Sequence, residues 1–213
     1  MPPNPAPSTR TDRRRLRTRA ALLEAGRRLF SERGVGGVTI QQITEAADVA
    51  KGSFYNHFES REDLQRAAAA AALEQIGAAL DQNVEQRERD PARIIATSLL
   101  STLRACLADP ALGGFLLQNE DVVEFADAIL VRGRRDLIRG RRSGRFDIQD
   151  VEVLMAAIAG AGQGVLRARL RGELKAAAET RFIALVLRML GLEADEAAAI
   201  AADAAVTVEG GIR

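Results

Sequence analysis

The 213 residues are 47% hydrophobic and 28% charged, with seven Phe, one Tyr and no Trp, a balance that suits one or two cored domains and excludes a disordered chain. Thirty basic against twenty-nine acidic side chains leave a net charge of +1 that names no partner, and one Cys and one His exclude a disulfide framework, a multi-cysteine metal site and a His-rich one. Met1 to Arg19 lacks the apolar core of a secretory signal, and the best apolar run, Val153 to Gly162, is well short of the roughly 20 residues of a membrane span, so the chain is expected to be soluble, cytoplasmic and without a membrane partner.

Taken in chain order, Pro2, Pro3, Pro5 and Pro7 predict an extended or disordered arm over 1–10. Leu16, Ala20, Leu23, Leu29 and Phe30 fall near helical spacing over about 11–32, and Gly34 ends the run. Thr39 with Gln42 three residues later is a capping box opening a short second helix that carries Ile40 and Ile43. A third short helix is predicted over 48–58, and Ser60 with Asp63 starts a fourth that runs through the Ala-rich stretch to about Val84. After Asp90-Pro91 the pattern predicts helices near 91–108, 110–118, 121–142, 148–171, 174–190 and 194–206, with Gly144 and Gly191 as breaks. No stretch alternates with period two. The fold class is all-α: a three-helix helix-turn-helix domain over 11–59, and a larger helical domain over 60–213.

The small net charge hides an asymmetry. Residues 1–66 hold twelve basic and eight acidic side chains, residues 67–213 eighteen and twenty-one, and within the first 33 the count is nine to three. Clustered positive charge at one end of a chain is the electrostatic footprint that phosphates need. A second basic run, Arg132 to Arg145, has seven Arg against one Asp and reads first as a solvated helix face.

Two very short helices joined at Ala47-Asp48-Val49 make a helix-turn-helix. Ile40, Ile43, Val49, Phe54 and Phe58 are placed to pack them together, leaving Ala50, Lys51, Gly52, Ser53 and Asn56 as a small, polar side that can enter a major groove. Asp48 stands where many such turns carry Gly, and Asp tolerates a left-handed backbone at some cost. Gly52 weakens a short helix; it makes sense where backbone must approach DNA closely and none as a packing choice. Ala50 offers no capping oxygen.

These residues carry a resemblance. Arg19-Ala20-Ala21-Leu22-Leu23-Glu24-Ala25, then Phe30, Gly34, Thr39, Ile40, Ile43 and Ala46-Ala47, and above all Gly52-Ser53-Phe54-Tyr55-Asn56-His57-Phe58 followed by Ser60-Arg61-Glu62-Asp63-Leu64, resemble the TetR family of bacterial transcriptional regulators over about 50 residues. Carried over, the resemblance implies that Gln41, Lys51 and Ser53, with Gly52 between them, reach base edges, and that Thr39, Tyr55, His57 and Arg61 hold phosphates. Hydroxyl donors and a guanidinium suit that task. Arg13, Arg14, Arg15 and Arg17 are expected to form a flexible arm along the DNA backbone or minor groove.

Further along, Met155, Ile158, Gly162 and Val165 form one apolar stripe and Ile183, Val186, Leu187 and Leu190 a second. Paired across a two-fold axis they would make the four-helix dimer interface that the resemblance also implies. A homodimer presents two reading helices to successive major grooves, so a double-stranded, pseudo-palindromic operator is the expected partner. Leu103, Cys106, Leu107, Phe115, Gln118 and Phe125 are the candidate lining of an effector pocket, with no charged residue aimed inward, which points to a small, mainly apolar effector. Cys106 reads as a buried small hydrophobe. The sequence assembles no nucleophile–base pair and no metal cluster, so neither an enzyme nor a cofactor is expected. The expected function is a ligand-responsive repressor, with a constitutive DNA binder or an activator as the alternatives.

Overall fold

The computed structural model describes residues 10–81, 88–118 and 127–211, and within them the chain is helical with no strand. Ten α-helices follow in order: α1 Arg10–Arg33, α2 Ile40–Ala46, α3 Lys51–Phe54, α4 Arg61–Leu80, α5 Pro91–Ala108, α6 Pro110–Gln118, α7 Asp127–Arg142, α8 Val151–Leu170, α9 Ala178–Met189 and α10 Ala194–Gly211. A single 3₁₀ turn, Val35–Gly37, links α1 to α2. Two compact units divide the chain at Ala71/Ala72, inside α4. The arm expected over 1–10 lies outside the described residues up to position 9.

In the first unit, Leu22, Leu29 and Phe30 of α1 close over Val38, Ile43, Phe54, Phe58 and Leu64, each at most 5% exposed. Each such side chain contributes about 1.5 to 3 kcal/mol. Gly26 is needed here, because a Cβ would sit 2.3 Å from Cδ2 of Leu64. Helix α2 starts as its sequence requires: Thr39 accepts from the Gln42 amide, and the Thr39 amide donates to Gln42 Oε1 at 2.9 Å. The arginines of the expected arm, Arg13, Arg14, Arg15 and Arg17, are instead exposed residues of α1. Nothing in Arg10–Arg19 breaks a helix, and straight-chain Arg and Leu favour one, so helical geometry begins where a flexible arm was expected.

The third helix is shorter than the 48–58 stretch predicted. Asp48 takes a left-handed backbone at φ 54°, so regular helix begins only after it. The N-cap is Ala50, which makes no side-chain cap bond, and the regular helix is four residues long, with Tyr55 as its C-cap and turns continuing to Phe58.

The second unit is built around α5, whose buried residues fall on every side, the mark of a central helix. It packs against α6, α7, α8, α9 and α10. Asp90 caps its start by accepting from the Ala92 amide at 3.0 Å. Arg145 grips the same carboxylate through Nε at 2.9 Å and Nη2 at 3.1 Å, and donates to Glu196 on α10 at 2.7 Å. These bonds hold the Asp90 carboxyl below its ordinary pKa although burial pushes it up. Gly144 and Gly191 end their helices with φ of 73° and 94°.

Helix α8 corrects the expectation about membrane-length segments. At 20 residues it is long and apolar enough, by length and composition, to cross a membrane. The helix continues through Gln163 and Gly164, beyond the Val153 to Gly162 run. The same helix packs on α5, α6, α7 and α9 within the unit.

Candidate nucleic-acid interface and ligand cavity

Helices α2 and α3, with the residues that flank them and the first residue of α4, carry the positions assigned to DNA. Lys51 and Gly52 are exposed and Ser53 half-buried. A Cβ on Gly52 would meet nothing within 4 Å, so the fold does not require glycine there. Tyr55 is 56% exposed while its neighbour Phe54 is wholly buried, and the two rings meet edge to face with centroids 5.4 Å apart. Phe54 therefore anchors α3 and leaves the Tyr55 hydroxyl outside. Gln41 is exposed and donates to Glu45 Oε1 at 2.9 Å.

Three of the assigned residues also have internal work, of which the sequence showed only the Thr39–Gln42 box. Thr39 Oγ1 both accepts from the Gln42 amide and donates to Gln42 Oε1 at 3.2 Å. Arg61 Nη1 donates to the Val38 carbonyl at 3.1 Å, and its Nη2 pairs with Glu62 at 2.8 Å, which ties the start of α4 to the lead-in of α2. His57 is half-buried, and burial, then Arg15, then Arg19 lower its pKa below the ordinary imidazole value. The Arg19 guanidinium itself lies 5.1 Å from the Phe58 ring centroid. The bond from Arg61 to Val38 was invisible in the sequence because 23 residues separate the partners.

The second unit contains a cavity of about 210 Å³. Of the residues predicted to line it, Leu103 and Cys106 do; Leu107 and Phe115 do not, Phe115 being packed at 2% exposure. The side chain of Gln118 and the whole of Phe125 lie outside the described residues. Most of the wall is apolar, including Leu73, Ile95, Leu99, Leu116 and Leu137. Met155, Ile158 and Gly162, assigned in the sequence to a dimer interface, belong to this wall. Val165, from the same stripe, is half-buried.

The expectation that no charge faces inward is overturned. Asp81, Arg132 and Asp136 border the cavity, together with Thr102 and Gln163. Asp136 is 4% exposed; burial pushes its carboxyl up, and Arg135, whose Nε donates to Asp136 Oδ1 at 3.2 Å, pulls it back. Asp81 Oδ1 is buried and accepts no hydrogen bond among the described residues. Burial pushes the Cys106 thiol up to about 12, so it lines the wall as an inert small group. No single stretch carries these polar groups. They come from α7 and from the residue after α4, about fifty positions apart, which is why the sequence did not give them away.

The other half of the expected interface also sits elsewhere. Ile183, Val186 and Leu187 of α9 and Leu190, its C-cap, are 0%, 1%, 0% and 0% exposed within the single chain, because α9 turns that face to α5 and α10. The opposite side of α9 exposes Leu185 at 59% and Met189 at 46%. On α8 the exposed positions include Val153, Ala157, Gly160, Ala161 and Gly164.

Comparison with known proteins bears on both units. A family model described as "Bacterial regulatory proteins, tetR family" matches residues 22–68, and one described as "Tetracyclin repressor-like, C-terminal domain" matches residues 90–203. The HTH-type transcriptional repressor DhaR of Mycobacterium sp. (strain GP1) is 59% identical over 44 residues, which is 21% of this chain and 22% of that relative's length. The HTH-type transcriptional repressor AcnR of Corynebacterium glutamicum is 28% identical over 143 residues, 64% of this chain and 73% of that protein. Among solved structures, RolR in complex with resorcinol superposes with a TM-score of 0.76 at 38% identity, covering 89% of this chain and 95% of that one.

Proposed function

The chain belongs to the TetR family of DNA-binding transcription regulators, and we propose that it works as a homodimeric repressor that leaves a pseudo-palindromic operator when a small hydroxylated aromatic molecule fills the cavity of its second unit. The observation that carries the ligand half is the cavity itself. At about 210 Å³ it falls below the roughly 300 to 1,000 Å³ of pockets for drug-sized ligands, which suits a single ring. Its apolar wall favours the ring faces. Asp136, and Asp81 Oδ1, which is paired with Arg135 at 3.6 Å but accepts no hydrogen bond among the described residues, offer acceptors for hydroxyl protons, and a polar site of this kind favours molecules that supply donors. That the similar RolR was solved with resorcinol favours a dihydroxybenzene over other small rings.

On the DNA side, Lys51, Gly52, Ser53 and Gln41 are the base-reading group and Tyr55, His57, Thr39 and Arg61 the phosphate-holding group, with the α1 arginines adding charge alongside. Two copies related by a two-fold axis set two α3 helices one helical turn of DNA apart. The dimer surface we assign is the outer side of α8 and α9, with Leu185 and Met189 at its apolar centre and the small residues of α8 allowing close helix approach.

Isothermal titration of the purified protein with resorcinol tests the ligand assignment. Saturable heat at one site per chain is expected, lost in Asp136→Leu, a substitution that leaves a folded, helical protein. Absence of heat with resorcinol, and binding only of polyanionic metabolites, would reject it.

A further inference from the structure

Arg132 of α7 reaches across the cavity wall and grips the end of α4. Its Nη2 donates to Glu74 Oε1 at 3.0 Å, its Nη1 to Glu74 Oε2 at 3.2 Å, and its Nε to Asp81 Oδ2 at 2.8 Å. Glu74, Gly77 and Asp81 follow at steps of three and four, so they share one face of the helix. Between the two carboxylates lies Gly77, where a Cβ would stand 2.5 Å from Nη1 and 2.8 Å from Cζ of Arg132. A glycine inside a helix costs about 0.5 to 1 kcal/mol relative to alanine, and this one lets a guanidinium lie flat against the helix.

We infer that this clasp, Arg132 on the Glu74–Gly77–Asp81 face, is the switch that reports cavity occupancy to the DNA-reading helices. Gly77, Asp81 and Arg132 border the cavity, so a molecule entering it meets the clasp directly. Helix α4 is one uninterrupted helix from Arg61 to Leu80, and its first residue holds the Val38 carbonyl ahead of α2. A shift of its last turns is thereby passed to its first. The closed clasp corresponds to the operator-binding state, and a ligand that prefers the open clasp lowers operator affinity by its difference in affinity for the two states. The inference rests on the ligand-released repressor proposed above, but its test needs no ligand.

Ligand-free wild type, Glu74→Gln and Gly77→Ala are compared by fluorescence anisotropy on a duplex selected by the wild-type protein from a random pool. Gly77→Ala is the sharper variant, because alanine favours helix and the displaced atoms are the far end of a flexible side chain. Glu209→Gln, which breaks the exposed pair with Arg104 at 3.1 Å, controls for losing an ion pair in the same unit. Both clasp variants are expected to bind at least tenfold more weakly, with circular-dichroism melting showing a folded protein, while the control binds as wild type does. Operator affinity in both clasp variants that is unchanged or tighter, with or without a change in melting temperature, makes the clasp a structural staple and overturns the inference. Wild type that binds the duplex but ignores added resorcinol counts against the ligand class and leaves the clasp to be judged by the variants.

Discussion

Gly52 is the residue at which chain stability and DNA binding pull apart most clearly. Nothing lies within 4 Å of the place its Cβ would occupy, so alanine fits the free protein and should stabilise the short α3 by about 0.5 to 1 kcal/mol. If DNA backbone comes close there, Gly52→Ala should melt at the same or a higher temperature yet bind the operator at least tenfold more weakly; equal affinity would remove Gly52 from the interface. His57 gives a prediction in pH. Its pKa in the free protein lies below the ordinary 6.5, first through burial and then through Arg15 and Arg19, so the free fold holds fewer protons at this site than the unfolded chain. That contribution to stability is therefore complete above pH 6.5 and declines as pH falls through the lowered value. A nearby phosphate acts in the opposite direction, favouring the imidazolium, so operator affinity should rise as pH drops below 6.5, and His57→Gln should flatten the rise. Parallel pH profiles for the two proteins would place the imidazole away from phosphate. Local signals of this kind were legible in the sequence: the Thr39–Gln42 box, the left-handed Asp48 and the missing cap at Ala50 each depend on residues within four positions.

Among the helices, α8 and α9 show where reading by pattern stops. Hydrophobic periodicity picks out the large apolar stripe of a helix, and in both helices that stripe serves the chain's own interior. Ile183, Val186, Leu187 and Leu190 fill the space between α9, α5 and α10, while Met155, Ile158 and Gly162 wall the cavity. The sides left exposed, where we propose that a second chain packs, are marked by small residues on α8 and by two large ones, Leu185 and Met189, on α9. Two amphipathic helices with apolar residues on more than one side cannot tell a sequence reader which side meets solvent, because periodicity carries no information about neighbours. The consequence is testable. Leu185→Glu should keep the melting behaviour of the parent at matched monomer concentration but sediment as a monomer in analytical ultracentrifugation, and a monomer offers one reading helix to a two-half-site operator. Leu187→Glu, by contrast, buries a charge in the chain's own core and should unfold it. A Leu185→Glu protein that remains dimeric would move the interface elsewhere.

For the molecule as a whole, the first unit was legible almost residue by residue and the second only as a set of helices. The difference is physical. A reading head must present a fixed surface to an unvarying duplex, so its short helices, turn and caps are specified locally. A cavity is specified by what several distant stretches leave unfilled, and its polar groups, Asp81, Arg132 and Asp136, declare themselves only once Arg132 of α7 meets Glu74 and Asp81 at the end of α4. Coupling the two tasks takes little energy: a ten- to hundredfold change in operator affinity corresponds to about 1.4 to 2.8 kcal/mol, within reach of a few charge-assisted hydrogen bonds made in one state and not in the other. The account stands most directly on a titration of resorcinol into the preformed complex of the wild-type protein with its selected duplex, followed by anisotropy at constant ionic strength. It predicts release of the DNA, with apparent Kd raised at least tenfold at saturation; a complex untouched by ligand at concentrations where calorimetry shows the cavity filled would contradict it.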